Sequence, residues 1–430
     1  MNSKLHISII CLLFYCLSLQ AQDLMILKGR VIDNENKEPL AFATISLSDK
    51  SRGVVSNFLG EFNFTVKISS QNDTLLVSML GYRTYKLSIE NFLNLSDLTI
   101  VLEEDIMMLN EVIVSNKELT AKEIVEKVIE NIPNNYPTIP YLLNGFTRAH
   151  KKECDKYVSL YEANFDLYGR GYTTKSKLGY PEKIYLNEMR ASEKVDQYMV
   201  DVLEINRNPF VALGHINDVL LKTFSLNISR NIYLLENYTT LNDELVYVIV
   251  TGKDDGLMGH KNRMYINVES YALIKVDYEI DTPQNEDWNP ELRKGSTIGP
   301  TKDSLSFKVK RVAKSIQFEK QNGLYFLKYT NWFMSGSTFD SDTKEELCDW
   351  EAQFEMMFSD ALIEDVERPS KKKLLKPKGG KDPGVKPYNE AFWKNYNLVT
   401  EFPLNEKIEH DLSQKKDLGT QFRERAKIGK

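Results

Sequence analysis

Tyr157-Val158-Ser159-Leu160-Tyr161-Glu162-Ala163-Asn164-Phe165-Asp166-Leu167-Tyr168 decides the fold class of the larger part of this chain. Successive side chains of an extended strand point to opposite faces. The run therefore sets Tyr157, Tyr161, Ala163, Phe165 and Leu167 on one face, and Val158, Leu160, Glu162, Asn164 and Asp166 on the other. Similar alternations recur outward from it. Leu245 to Val250 reads as a strand, and Arg263–Val268 with Ala272–Tyr278 as a hairpin across Glu269-Ser270-Tyr271. Ser306–Glu319 and Leu324–Met334 form a second hairpin turning at Gln321-Asn322-Gly323, and Trp350 to Phe358 a last strand. The expectation is an antiparallel β domain over residues 141–365.

Upstream, shorter strands lie closer together: Ile26 to Ile32, Ala43 to Leu47, Glu61 to Val66, Thr74 to Met79, and the Leu98, Ile100, Leu102 set. Turn residues at Asp33-Asn34-Glu35-Asn36, Ser51-Arg52-Gly53 and Gly81 separate them, which is the pattern of a β-sandwich over residues 22–108. Gly60 stands where a turn before a strand calls for positive φ. The ordered pieces Gly29-Arg30-Val31-Ile32-Asp33, Glu38-Pro39-Leu40-Ala41-Phe42-Ala43, Gly53, Asn57-Phe58-Leu59-Gly60-Glu61-Phe62 and Leu76-Val77-Ser78-Met79-Leu80-Gly81-Tyr82 resemble the carboxypeptidase regulatory-like domain. Ser56-Asn57 stands where that family usually has Thr-Asp. The resemblance implies a transthyretin-like, seven-strand-like sandwich acting as an accessory module rather than as the peptidase.

The same module resembles the N-terminal extension of Bacteroidetes outer-membrane nutrient transporters, and Leu109-Asn110-Glu111-Val112-Ile113-Val114 is similar to the segment that follows it there. The likeness ends at that point, because a helix follows and the C-terminus is the basic run Arg423 to Lys430. Residues 109–114 read either as a segment that pairs with a sheet edge or as one more local strand. Thr120 and Glu123 form a capping box ahead of the apolar stripe Ile124, Val125, Val128, Ile129 and Ile132, with Pro133 ending the helix. Lys122, Glu123, Glu126, Lys127 and Glu130 make the wet face, and the apolar face reads as docked on a sheet or, alternatively, as bound to a partner. Pro133, Pro137 and Pro140 then complete a connector, residues 109–140.

The chain of 430 residues carries 55 Lys plus Arg against 61 Asp plus Glu, a net charge of −6 that disfavours nucleic acid as a partner. Residues 1–21 read as a signal peptide cleaved after Ala21, too short in its apolar run for a membrane span. The expected location is therefore the periplasm or outer membrane, with no transmembrane span in the mature chain. Of the four cysteines, Cys154 and Cys348 survive cleavage into an oxidising compartment. They are either bridged or two free thiols, and spacing does not decide between these.

The 22 Tyr and 20 Phe against 5 His suit strands better than a metal-rich site. His150 and Glu153 fit the His-x-x-Glu pattern, and with His260 they resemble the ligand set of zinc carboxypeptidases. Three features oppose that reading: His-x-x-Glu is a two-residue match that arises easily by chance, the sandwich precedes this region instead of following it, and the strands are antiparallel. No cofactor is called. Residues 366–387 form a basic linker rich in Pro and Gly, in which Lys371, Lys372, Lys373, Lys376 and Lys378 are either solvated or in contact with an anionic surface. Residues 388–430 form an arm, with Phe392 and Trp393 as anchors expected to dock on the second domain and a short helix near 405–414.

The second domain is similar in pattern to the curved half-barrels of periplasmic lipoprotein carriers. Its sheet is either filled or cradles an acyl chain. The fold expected is mainly β: a sandwich plus a larger antiparallel domain with a few helices. The leading functional expectation is a non-catalytic binding or structural component of a Bacteroidetes-type cell envelope, with an envelope protein or an anionic surface as partner. A periplasmic carrier or chaperone with an apolar cavity is the alternative, and a zinc metallocarboxypeptidase the second alternative.

Overall fold

The computed structural model describes residues 24–40, 42–48, 53–56, 59–67, 73–95, 99–107, 119–172, 182–193, 231–241, 244–253, 260–281, 305–340, 342–358, 361–375, 387–399 and 406–428. The expected signal segment and cleavage after Ala21, residues 109–114, and Lys376 and Lys378 lie outside them. The chain divides into two compact units: residues 1–105 with 391–403, and residues 106–390 with 404–430.

The first unit holds two small sheets. β1 (Leu24–Asp33) lies between β4 (Glu61–Lys67), antiparallel, and β7 (Thr99–Leu102), parallel. The second sheet orders β3 (Gly53–Val55), β2 (Thr44–Leu47), β5 (Thr74–Ser78) and β6 (Tyr85–Ser88). The short helix α1 (Ile89–Leu93) is capped by the Ser88 hydroxyl, which accepts from the Asn91 N–H. Inward-facing residues of both sheets, among them Leu27, Val31, Ile45, Phe62, Val77 and Ile100, form one core. Gly60 adopts φ +74°, and a Cβ there would sit 2.2 Å from the Val31 carbonyl oxygen, so this position requires glycine. Asp33 closes the turn after β1. It accepts from the Asn36 and Glu35 N–H groups and from the Tyr82 hydroxyl, and these bonds hold its carboxyl below the ordinary range.

The second unit is built on an antiparallel sheet. Its order is β11 (Lys183–Ala191), β10 (Lys156–Gly169), β9 (Tyr141–Glu153), β18 (Glu346–Phe358), β17 (Leu324–Asp340), β16 (Leu305–Gln321), β15 (Leu273–Asp281), β14 (His260–Asn267), β13 (Glu244–Lys253), β12 (Asn231–Leu241) and the two-residue edge strand β8 (Ile106–Met107). From β12 to β18 the chain is a meander, and β18 then pairs with β9, about two hundred residues earlier in the chain. The β16–β17 hairpin turns on Asn322 and Gly323, both with positive φ (50° and 85°), as a right-twisted two-residue turn requires. Between β14 and β15, Tyr271 takes the positive φ instead, and the Asn267 carboxamide oxygen accepts from the N–H groups of Glu269 and Ser270.

Helix α2 (Ala121–Glu130) begins with the expected capping box: Thr120 accepts from the Glu123 N–H, and Glu123 accepts from the Thr120 N–H at 2.7 Å. It buries Ala121, Ile124, Val125 and Val128 and packs on β12. Pro133 does not end the fold of this segment. It sits in the first turn of a further short helix, α3 (Ile132–Asn135), where proline's missing N–H has no partner to lose.

In the strand that opened the sequence reading, Tyr157 lies on the face opposite the one expected. A bulge at Val158 sets Tyr157 opposite Lys152 and Ser159 opposite Lys151. The extra residue breaks the period of two, so Tyr157 joins Leu160 rather than Tyr161. The other face carries a tyrosine- and phenylalanine-rich core in which the rings of Tyr136, Tyr141, Tyr172, Phe318, Tyr325 and Phe326 meet one another at 5.4–6.1 Å.

Candidate functional site

One polar residue from each of eight adjacent strands falls on a single level of the Leu160 face. In register order these are Arg190 (β11), Glu162 (β10), Arg148 (β9), Glu355 (β18), Asn331 (β17), Ser315 (β16), Asp277 (β15) and Arg263 (β14). Directly paired residues in a sheet share a face, so the alternation of each strand is enough to align them. The row is buried from Arg190 to Asn331 and emerges toward Asp277 and Arg263, where Arg263 bonds exposed Glu236 at 2.8 Å.

Its centre is Glu162, which is 0% exposed. Arg148 approaches it with Nε and Nη2, each 2.7 Å from Oε1, and Arg190 Nε donates to Oε2 at 2.5 Å. Burial pushes the Glu162 carboxyl up, but Arg190 and Arg148 together outweigh it and hold the group below its ordinary range. The guanidiniums also rest on aromatic faces, Arg190 over Phe422 at 5.2 Å and Arg148 over Phe146 at 5.5 Å.

Glu355 stands on the other side of Arg148 and is driven the opposite way. Burial pushes its carboxyl up to about 8, Arg148 only partly offsetting this and Glu162 adding to it. It is therefore mostly protonated at neutral pH, and a folded value above the ordinary 4.5 means that its contribution to stability is complete below about pH 4.5 and is lost as pH rises through about 8. His150, two residues from Arg148 along β9 and on the same face, has a sealed Nδ1 without a hydrogen-bond partner. Burial and then Arg148 push its imidazole down to about 3. Its contribution has the reverse sign, present above pH 6.5 and lost as pH falls toward 3. Glu355→Gln is expected to flatten the fall of melting temperature between pH 5 and pH 8.5 while leaving the acid limb in place. An unchanged alkaline slope in thermal melts would refute the assignment.

The C-terminal helices cover the β10–β11 end of this face. α5 (Glu406–Leu412) and α6 (Leu418–Ile428) bury Ile408, Leu412, Leu418 and Phe422 against Leu160, with Tyr157 and Tyr388 packed alongside. Gln421 fastens them. Its amide donates to the carbonyls of Leu412 (2.7 Å) and Lys416 (2.6 Å), and its Oε1 accepts from the Glu193 N–H (3.0 Å). Asp411 accepts from the Tyr157 N–H, the group displaced by the bulge. The arm thus docks on the second unit through α5 and α6, whereas Phe392 and Trp393 lie on α4 (Glu390–Val399), most of which groups with the first unit.

The sequence-derived metal candidates do not converge. His150 and Glu153 are three residues apart on β9, an odd spacing that sends them to opposite faces. His260 opens β14, five strand steps from β9, or roughly 24 Å at ~4.8 Å per step. A zinc ion needs its ligands ~2 Å from one centre. Cys154 and Cys348 are joined by a disulfide with their Cα atoms 5.2 Å apart, linking the β9–β10 turn to β18. Lys371, Lys372 and Lys373 form an exposed 3-10 turn, and the chain around it is not a free linker. Leu374 bridges Tyr185, Leu375 N–H donates to the Ile184 carbonyl, and Arg368 Nε donates to the Tyr185 hydroxyl, so residues 368–375 run along β11 and cover its edge. Sequence reasoning missed Arg148, Glu162, Arg190 and Glu355. The usable signal was a charged residue at the centre of each of four alternating strands.

No curated protein matches the chain in sequence. Among solved structures, it is similar to a LolA superfamily protein from Nitrosomonas europaea at 12% identity and a TM-score of 0.23, covering 58% of this chain and 96% of that one. A Vibrio parahaemolyticus domain described as outer membrane lipoprotein-sorting gives 10% and 0.25, covering 58% and 95%. The MucA/MucB complex of Pseudomonas aeruginosa gives 9% and 0.17, covering 56% and 94%. Residues 27–114 match the CarboxypepD_reg-like domain family, and together with the sandwich of β1–β7 this makes the N-terminal segment a carboxypeptidase regulatory-like domain.

Proposed function

We propose that this protein is a non-catalytic binding component of a bacterial cell envelope, exported by its N-terminal segment, with the regulatory-like sandwich as docking module and the large sheet as a rigid platform. The observation that carries the reading is the state of the polar row. Glu162 is neutralised by two arginines, and the β10–β11 end of the row, where this charge cluster sits, is packed against docked helices. Among the described residues no group of three His, Cys, Asp or Glu side chains is placed to hold a metal ion. Near-continuous burial along β10, with aromatic rings filling the Tyr161 side, favours a packed platform over an acyl-chain cradle in this part of the sheet.

Two measurements test the reading. In fractionated bacteria the full chain is expected in the envelope. Photo-crosslinkers at Ile26 and Leu93, exposed apolar positions of the sandwich, should yield a discrete protein adduct. Recovery from the cytoplasm, or no adduct at either position, would sink it. The purified protein should also carry far less than one equivalent of zinc and leave C-terminal peptide substrates intact after zinc loading. Stoichiometric zinc with hydrolysis would overturn the non-catalytic part.

A further inference from the structure

At one corner of the large sheet the residue following β10, the first of β11 and the segment 368–375 bring together Arg170, Lys183, Arg368 and Lys371, with Lys372 and Lys373 following. Lys183 pairs with Tyr168 next to the end of β10, and Leu375, bonded to Ile184, brings the segment back past it. Burial lowers the Lys183 ammonium, and the neighbouring Arg368, Arg170 and Lys371 lower it further. None of the six is ion-paired to a carboxylate among the described residues. Arg368 bonds a tyrosine hydroxyl and Lys373 an asparagine carboxamide oxygen. These cations cluster at one corner of a chain whose overall charge is −6, with Glu364, Asp365 and Glu367 preceding them in the same segment and Glu182 beside Lys183.

The same corner exposes two large aliphatic side chains. Leu362 is 50% exposed and bridges Leu142, which pairs with Tyr168, which pairs with Lys183. The four residues make one row, with Leu362 and Lys183 roughly 15 Å apart at the usual strand spacing. Ile139, 51% exposed, stands just before β9, beside Thr138, whose backbone lies against Gly171. Exposed cations around exposed aliphatics suit an interface with phosphate headgroups above and acyl chains below. A free phosphate would use the charges alone.

We propose that this corner is a lip that adsorbs to an anionic lipid surface, its cations on the headgroups and Ile139 and Leu362 entering the acyl boundary. The lip rests on its own geometry but deepens the envelope reading by naming a surface. A chain found in the cytoplasm would end that reading, whereas only the vesicle result bears on the lip.

The test is sedimentation of the purified full chain with vesicles. At low ionic strength it should bind phosphatidylglycerol-containing vesicles, bind pure phosphatidylcholine vesicles weakly, and lose binding steeply as salt rises. Arg170→Glu, Lys371→Glu and Lys372→Glu together should weaken binding at least about a hundredfold with an unchanged melting temperature. Ile139→Ser with Leu362→Ser should weaken it several-fold at constant charge. Equal binding to neutral and anionic vesicles, no salt dependence in the wild type, or full binding by the charge variant would overturn the proposal. Displacement by millimolar inorganic phosphate with no effect of the aliphatic substitutions would overturn it too, since the site would then be for phosphate and not for a membrane.

Discussion

Glu162→Ala is expected to destabilise the second unit by about 3–5 kcal/mol, because it strands two buried guanidiniums. Arg148 and Arg190 are 5% and 9% exposed, and each spends its Nε bond on this carboxylate. Removing the shared anion leaves two positive charges in register on either side of one strand. The asymmetry of buried ion pairs gives a sharper form of the prediction. Breaking the triad at one member costs far more than replacing all three by apolar residues of similar volume. Glu162→Leu with Arg148→Met and Arg190→Met should therefore recover most of the stability lost in Glu162→Ala. Urea midpoints at pH 7 measure both. A single-variant loss below about 1 kcal/mol would show the cluster to be solvated and the account of the site wrong.

The second large effect is expected at the disulfide. Replacing Cys154 and Cys348 by serine should lower stability by about 2–5 kcal/mol, since the crosslink spans 194 residues and restricts the unfolded chain accordingly. It joins the turn between β9 and β10 to β18, at the seam where the early and late strands of the unit meet. Loss should therefore appear first as opening of the β9–β18 ladder, measurable by amide exchange in Thr147 to Glu153. Reductant should reproduce the shift in the wild type and leave the double-serine variant unchanged. Two reactive thiols in the denatured, unreduced mature protein would sink the prediction outright.

Much of the local fold was legible because its causes are local. Alternation, turn chemistry and capping act over a few residues, so β13–β18, the Asn322-Gly323 turn and the Thr120–Glu123 box could be read from neighbouring side chains. The regulatory-like sandwich was legible for a further reason: its turn residues stand in a fixed order, and at Gly60 only glycine avoids the Val31 carbonyl. Where one extra residue breaks the period, local reading fails. Val158 is an ordinary strand residue, and nothing in its neighbours marks the bulge that turns Tyr157 over.

The polar row was illegible for a different reason. Arg190, Glu162, Arg148 and Glu355 lie on four strands separated by up to about two hundred residues, and each alone reads as the solvated side of an alternating strand. Their register also carries specificity, since a slip of one residue would turn these charges into the tyrosine-rich core.

The sequence by itself determined β10, the strands from β13 to β18 and their turns, the capping box, and that the N-terminal segment is a regulatory-like sandwich, while β9, β11 and β12 went unread. The tertiary structure alone decided that β18 closes on β9, that Glu162 is buried between two arginines, that His150 and Glu153 face away from each other, and that a basic segment read as linker covers the edge of β11. Strand formation is governed by period and turn residues along a few positions of chain. Strand order, register and burial are governed by which distant surfaces meet, and the free energy of a charge changes sign between water and the interior of the sheet.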